Sequence, residues 1–168
     1  MLETPDDLAA LQGVLDSTYA AAGAHLLEIH TDNARLSATE VVERLQGMLV
    51  MVVATVSSDG RPFTGPVDAF LHRGRICFGT DARALRSRHL ERRPAVSVSY
   101  VEGEAITVTV HGTARRMDFT GPDASFGQIA RAKYGETWDD WMHDAPYYEV
   151  VPDRMFAADM SVHVAAGS

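Results

Sequence analysis

Short β-type runs separated by turn residues constrain this chain most, because they follow one another from residue 48 to residue 117. The first run, 48–56, is almost entirely apolar and β-branched, and Ser57-Ser58-Asp59-Gly60 follows it as an Asp-Gly turn. Four further strands are predicted at 63–71, 76–80, 95–101 and 105–117. Turn-linked strands at this spacing favour an antiparallel barrel over a parallel sheet.

Helix signals lie on both sides of these runs and once within them. Thr4-Pro5-Asp6-Asp7 begins a helix whose apolar stripe extends to Leu26, and Ser37-Ala38-Thr39-Glu40 begins another that ends near Gly47. Asp81 is predicted to cap a helix that runs to about Arg92 and that Pro94 stops. The tail is predicted to hold a helix from 121 to about 135 and two β-like runs, 147–151 and 155–164. The predicted fold class is therefore mainly β with helices.

Length and composition bound the possible functions. The chain has 168 residues, 46% of them hydrophobic, which fits one globular domain. A formal net charge of -8 disfavours binding to nucleic acid or to an anionic membrane surface. The single cysteine, Cys77, excludes an internal disulfide, and we see neither a basic-then-apolar leader nor a membrane-length apolar run. We expect a cytoplasmic protein with a helical extension over 1–36, one domain over 37–164 and a disordered tail over 165–168.

One segment departs from the acidic balance of the chain. Five arginines lie between positions 83 and 93, against two acidic residues between 81 and 91. A local excess of cations on an acidic protein indicates an anionic ligand.

The order of these parts carries a resemblance. A strand, an Asp-Gly turn, two more strands ending in Gly79-Thr80, an arginine-rich helix, Arg93-Pro94 and a strand with Val110-His111-Gly112-Thr113-Ala114 follow one another. This order resembles the pyridoxamine 5'-phosphate oxidase-like split β-barrel family. The resemblance implies a Greek-key barrel, a homodimer, and a flavin mononucleotide (FMN) or deazaflavin cofactor held at the subunit interface.

The resemblance also implies particular cofactor contacts. Thr80 and Arg86 match the hydroxyl and the cation that bind the phosphate in this family, a pairing that suits a phosphate chemically. The other matched positions are Thr64, Gly65, Pro66 and Val67 on the second strand, Phe78 and Gly79 on the third, and Thr107 on the fifth. The true oxidases carry an arginine where this chain has Gly65, and they end in an Arg-x-His segment that this tail lacks. Oxidation of pyridoxamine phosphate itself is therefore not expected.

An aromatic cluster near the C-terminus has two interpretations. Trp138 and Trp141 are spaced to share a helix face, and an aromatic from this region covers the cofactor in many relatives. The alternative interpretation is packing against the barrel or the partner subunit. No metal site is predicted. Haem is a less favoured cofactor, because only His163 is placed like the C-terminal haem ligand of some split-barrel proteins.

Two functions follow from the sequence. The first is a dimeric oxidoreductase in which FMN or deazaflavin transfers hydride to or from a small organic substrate. Because such a cofactor supplies the reactive atom, no acid, base or nucleophile need be visible in the sequence, and none can be named. The second is a non-catalytic carrier of flavin or haem with the same fold.

Overall fold

A computed structural model describes residues 3–135, 137–141 and 145–162. The strands are β1 (Met48–Val56), β2 (Pro62–His72), β3 (Arg75–Gly79), β4 (Ala95–Glu102), β5 (Ile106–Arg116) and β6 (Tyr147–Asp159). The helices are α1 (Pro5–Ala20), α2 (Ala24–Ile29), α3 (Ala38–Arg44), α4 (Leu85–Arg92), α5 (Phe126–Tyr134) and α6 (Trp138–Trp141).

The strands close into one antiparallel barrel in the order β1-β2-β3-β6-β5-β4, with β4 paired back to β1. The spatial order β4-β1-β2-β3 is that of a Greek key, and α4 lies in the connection between β3 and β4. The predicted fold class, an antiparallel split barrel with N-terminal helices and a helix after the third strand, is confirmed. Residues 163–168, which include His163 and the expected disordered tail, lie outside the described residues.

Side-chain alternation along the strands builds the core. On β1, Met51 and Val53 are completely buried inside the barrel, while Val50 and Val52 face outward. A second core cluster lies outside the barrel wall, where Phe70 and Tyr147 pack against Phe126 of α5 and Trp138 of α6. The molecule therefore has a barrel core and a smaller aromatic core on one flank.

The N-terminal residues fill the gap where the barrel is split. β3 pairs with β6 only over Cys77–Gly79 and Tyr147–Glu149, which leaves the second half of β6 open on that side. The segment before α3 covers this edge, because Leu36 donates its backbone N–H to Ala157 and Asp159 donates to Ala34. α1 packs behind it, and the Tyr19 hydroxyl donates to the Ala157 carbonyl at 2.9 Å and accepts from the Ala157 amide at 3.1 Å.

Three helix starts or ends differ from the sequence-based expectation. The first helix ends at Ala20, and a separate helix, α2, begins after Gly23. α4 begins at Leu85, because the Asp81 carboxylate accepts from the backbone N–H and the guanidinium of Arg83 and so forms a turn. α5 begins at Phe126, because Arg115 binds the Asp123 carboxylate through two hydrogen bonds.

The two late β-like runs are one strand, β6, and the separation expected between them is wrong. The β5–β6 register shifts between His111 and Gly112, so that Asp153 bulges out beside Pro152. Proline lacks an N–H group and is tolerated at such a bulge. Gly112 lies opposite, and a Cβ there would collide with the Val151 carbonyl, which explains the glycine in the fifth strand.

Across the three described segments of the chain, no helix has both the length and the apolar character that crossing a membrane requires.

Tyr19→Phe is predicted to lower the free energy of unfolding by about 1–3 kcal/mol, because the buried Ala157 amide loses its hydrogen-bond acceptor. Chemical denaturation measures this change. Tyr100→Phe is the matched control, since its hydroxyl bonds only to the exposed Glu102, and it should change stability by less than about 0.5 kcal/mol. Equal effects of the two variants would show that the Tyr19 hydroxyl does not secure the barrel.

Candidate functional site

The structure brings Thr80, Arg86 and Gly65 together at one end of the barrel. Thr80 follows β3, and Arg86 lies in the first turn of α4, where its guanidinium donates to the Thr80 hydroxyl at 3.4 Å. A Cβ built on Gly65 would lie 2.7 Å from Nη2 of Arg86. The guanidinium therefore occupies the space that a side chain at position 65 would fill.

Arg86 is a half-buried cation that has no counter-ion among the residues that the structure describes. Within the described part of the chain, no carboxylate lies within ion-pair distance of its guanidinium. Burial lowers the pKa of this group from its ordinary value, because desolvation disfavours the charged form. An arginine held this way stabilises an anion that binds beside it, through charge-assisted hydrogen bonds.

The neighbouring arginine is neutralised locally. Arg83 forms an ion pair with Asp81 at 2.9 Å, and hydrogen bonds from Arg83 lower the pKa of the Asp81 carboxyl to about 2. Arg88 and Arg92 are exposed on α4. Of these arginines, Arg86 is therefore the one that supplies uncompensated positive charge near Thr80.

Thr80 lines one cavity, and its hydrogen-bond partner Arg86 lines another. The larger is a cleft of about 730 Å³, lined by Asp68, Gly79, Thr80, Asp81, Ala82, Arg83, Tyr134, Ala145 and Tyr147. The smaller, about 210 Å³, is lined by Thr55, Phe63, Thr64, Ala84, Leu85 and Arg86. Asp81 and Ala82 line the cleft, and their backbone amides donate to no other described residue. The Thr80 hydroxyl and the Arg86 guanidinium are in contact with each other and are together available to one anion.

The wall of the cleft is built on bare backbone at Gly79. The Tyr147 ring lies over this residue, where a Cβ would come within 2.7 Å of Cζ of the ring. Trp138 donates its indole N–H to the Tyr147 hydroxyl at 3.1 Å and so holds the ring in place. The close approach explains the glycine that ends β3.

A carboxylate and a phenol face each other across the outer part of the cleft. Tyr134 of α5 donates its hydroxyl proton to Oδ2 of Asp68 on β2 at 3.0 Å. Burial, together with the hydrogen bond to Asp68 and its charge, raises the pKa of Tyr134 above its ordinary value. The contact joins residues that are 66 positions apart in the chain.

An ion-pair network positions α5 for this contact. Arg115 bonds to Glu149 at 2.8 Å and to Asp123 at 2.7 Å, and Arg75 bonds to the same Glu149 oxygen at 2.6 Å. Burial alone would raise the pKa of Glu149, but the hydrogen bonds and charges of the two arginines hold it below its ordinary value. The network fixes the loop before α5 to β5 and β6.

The predicted site residues separate into three groups. Thr64, Gly79, Thr80 and Arg86 line the two cavities, Gly65 lies beside the Arg86 guanidinium, and Pro66 is exposed next to Gly65 on β2. Val67, Phe78 and Trp138 are buried, with Phe78 inside the barrel and Trp138 in the flank cluster, so their side chains present no surface to a ligand. Thr107 lies on β5, three strand spacings or about 14 Å from β2.

The remaining predictions are less informative about the cleft. The side chain of Trp141 lies outside the described residues. Within the three described segments, no group of three His, Cys, Asp or Glu side chains could hold a metal ion. Sequence reasoning did not assign Asp68 or the Tyr134 contact. Tyr134 and Tyr147 belong to the aromatic cluster noted in the sequence, whereas no local signal distinguishes Asp68.

Comparison with known proteins agrees with this geometry. The model of the pyridoxamine 5'-phosphate oxidase family matches residues 37–159. The chain belongs to this family. The match spans α3 to the end of β6, so it includes both cavities and excludes α1 and α2. No curated protein matches the chain.

Solved structures show the same fold at low sequence identity. A conserved hypothetical protein from Mycobacterium tuberculosis has a TM-score of 0.66 at 19% identity, covering 78% of this chain and 89% of that one. HutZ, the haem storage protein of Vibrio cholerae, has a TM-score of 0.58 at 21% identity, and the match covers 71% of this chain and 93% of HutZ. A FAD-binding protein from Mesorhizobium loti has a TM-score of 0.57 at 16% identity, and the match covers 74% of this chain and 95% of that protein. At these identities the similarity establishes the split-barrel fold alone.

Gly79→Ala is predicted to lower the free energy of unfolding by about 1–3 kcal/mol, because the added methyl group overlaps the Tyr147 ring. Thermal or chemical denaturation measures it. Gly13→Ala is the control. Gly13 lies within α1, and no atom lies within 4 Å of the place that its added methyl group would take. The free energy of unfolding of this variant should therefore rise by about 0.5–1 kcal/mol. If Gly79→Ala left the free energy of unfolding unchanged, the Tyr147 ring would not be packed tightly against this strand.

Proposed function

We propose that this protein binds a phosphate-bearing flavin-type cofactor, FMN or the deazaflavin coenzyme, and uses it to transfer hydride to or from a small organic substrate. The observation that carries the proposal is Arg86, a half-buried guanidinium that has no carboxylate partner within the described residues and lies beside Thr80. A desolvated, uncompensated cation next to a hydroxyl is the arrangement expected for a site whose anion is supplied by the ligand.

The residues present fit a phosphate group. Thr80 offers a hydroxyl, Arg86 a planar fork of donors, and Asp81 and Ala82 their backbone amides. The Asp81 carboxylate, which would repel a phosphate, is neutralised by Arg83. The cleft of about 730 Å³ beyond Thr80 has the size of a typical cofactor site.

Arg86 also accounts for the departure at Gly65. Where the oxidases carry a second-strand arginine, this chain has a glycine, and the Arg86 guanidinium fills the adjacent space. Of the two cations that the resemblance implies, the chain therefore has the one on α4, and its guanidinium occupies the space beside Gly65. Oxidation of pyridoxamine phosphate is not part of the proposal.

The bound cofactor would supply hydride at a ring atom, and the chain's own residues would bind and orient it. Thr80 and Arg86 anchor one end. On β2, Gly65 has no side chain, so the Arg86 guanidinium and an anion bound to it can lie close to the strand backbone. Tyr147, which packs on Gly79, and Tyr134 also line the cleft and would restrict the access of water and substrate.

Arg86→Ala is predicted to weaken FMN binding at least about tenfold, since a charge-assisted contact is lost, and to leave riboflavin, which has no phosphate, almost unaffected. Fluorescence titration of the purified protein measures both affinities, with the deazaflavin coenzyme in parallel. Arg88→Ala, an exposed arginine on the same helix, should bind FMN like the unsubstituted protein. Absence of micromolar binding of either cofactor to the unsubstituted protein would reject the proposal.

We also propose that the protein is a homodimer that pairs through the outer face of β1, β2, β4 and β5. Val50, Val52 and Val101 are 60%, 46% and 63% exposed on this face. The register places these valines in rows with Pro66, Ser99, Thr107 and Thr109. The hydroxyl groups of Ser99 and Thr109 form a hydrogen bond with each other at 3.0 Å. Apart from Asp68, which the register places opposite Val50, the residues named here are apolar or uncharged. A largely apolar sheet face on an acidic protein is the kind of surface that a second copy covers. Such a dimer would bring Thr107 of one protomer close to the partner.

Val52→Asp is predicted to convert the dimer to a monomer, because the charge would be buried at the centre of a two-fold contact. Sedimentation velocity at micromolar concentration measures the change. Ile29→Asp places the same charge at an apolar residue of similar exposure on α2, 41% exposed, and should leave the dimer intact. An unsubstituted protein that sediments as a monomer would contradict the proposal.

The alternative function is a non-catalytic carrier of flavin or haem. It is supported by the solved structures of this fold, which include the haem storage protein of Vibrio cholerae and a haem-binding protein from Mycobacterium smegmatis. The absorbance of the purified protein separates the alternatives. Flavin bands support the first proposal, a Soret band supports haem carriage, and a colourless protein leaves the deazaflavin coenzyme or no cofactor.

A further inference from the structure

The wall of the cleft carries a second carboxylate, Asp68, whose charge is not compensated. Asp68 points outward from β2, one position beyond the Ala69–Phe78 pair that ends the β2–β3 register. Its Oδ2 accepts the Tyr134 hydroxyl proton. In the parts of the chain that the structure describes, no Lys, Arg or His side chain lies within ion-pair distance of it.

The two carboxylates of the cleft are therefore not equivalent. Asp81 is held by Arg83 through two hydrogen bonds, at 3.1 and 2.9 Å, and contributes little net charge. Asp68 has no ion-pair partner among the described residues, and its Oδ1 has no described hydrogen-bond donor. Since the Tyr134 hydroxyl holds Oδ2, the side chain is oriented in advance and Oδ1 is available to a donor on a ligand.

We infer that Asp68 accepts a hydrogen bond from a ring N–H of the cofactor, and that this contact selects the pyrimidinedione ring of a flavin or deazaflavin and fixes its direction in the cleft. The inference rests on the proposed function, because it takes the phosphate of the same molecule to lie at Thr80 and Arg86. Arg86, in the smaller cavity beside Thr80, then binds the phosphate, and Asp68, on the wall of the cleft, binds the ring, so only one orientation of a phosphate-bearing cofactor satisfies both.

The chemistry of the ring matches the carboxylate. In both flavin and 5-deazaflavin, the nitrogen between the two ring carbonyls, N3, carries a proton and donates it to an acceptor. An N–H donor and an ionised carboxylate form a charge-assisted hydrogen bond, which is stronger than a neutral one. The same carboxylate repels the propionate groups of haem, so it also disfavours the haem alternative in this cleft.

Methylation of N3 provides the test, because it removes this donor and leaves the phosphate unchanged. The affinities of FMN, 3-methyl-FMN and riboflavin are measured by fluorescence titration for the unsubstituted protein, Asp68→Ala and the control Asp153→Ala. Asp153 is an exposed aspartate on β6 that lines neither cavity. Thermal unfolding of each variant, which needs no ligand, establishes that it is folded.

The unsubstituted protein and Asp153→Ala should bind FMN at least about tenfold more tightly than 3-methyl-FMN, as expected for loss of a charge-assisted contact. In Asp68→Ala this ratio should fall below about twofold, while the ratio of FMN to riboflavin affinity stays unchanged. Equal affinities for FMN and 3-methyl-FMN in the unsubstituted protein, or a ratio that persists in Asp68→Ala, would overturn the role of Asp68 and leave the phosphate site standing. No binding of FMN at all would reject the proposed function and this inference together.

Discussion

The register of β2 against β1 and β3 is the constraint on which the site depends. Alternation along β2 turns Val67 and Ala69 into the barrel and Pro66 and Asp68 outward. A slip of one residue would exchange the two faces, exposing the apolar side chains and burying Asp68. The barrel core therefore fixes the register, and the register in turn fixes where the two ends of the cleft lie.

Arg86 connects the stability of the protein to its ligand. Partial burial of a guanidinium without a carboxylate is unfavourable, because desolvation is not offset by an attractive charge. The structure limits this cost by leaving Arg86 half-exposed and by directing it to the Thr80 hydroxyl and to bare backbone at Gly65. An anion that binds there removes the unfavourable term, so ligand binding and folding should stabilise each other through mass action.

The sequence predicted the strands better than the helix starts, for a physical reason. A buried strand follows from hydrophobic patterning and turn residues alone, and the first strand was predicted with the bounds found for β1. A helix start depends on what the capping side chain binds. Asp81 and Asp123 both had capping chemistry, but Arg83 binds the first and Arg115 the second, and the arginine of the second pair lies on another element.

The same distinction applies to the site. The arginine-rich segment and its spacing from Thr80 are local features, so the pairing of Thr80 with Arg86 could be predicted. The Asp68–Tyr134 contact joins β2 to α5, and Tyr147 reaches Gly79 from β6, so neither has a local sequence signal. Side chains whose positions depend on tertiary packing, such as Phe78 and Trp138, were assigned to the site by resemblance, yet both are buried.

The charge of the whole chain is a poor guide to what this cleft binds. A net charge of -8 would repel an anionic cofactor at long range, but salt screens exposed charges beyond about 8–10 Å. At the cleft, Asp81 and Arg83 form a local ion pair, while Arg86 lies beside Thr80 in the adjoining smaller cavity and Asp68 lies on the cleft wall. Charges this close to a bound ligand act on it more strongly than the screened charges of the distant surface. Recognition should therefore depend on the arrangement of these two side chains along the cleft, and an acidic protein can hold a phosphate-bearing cofactor in a defined direction.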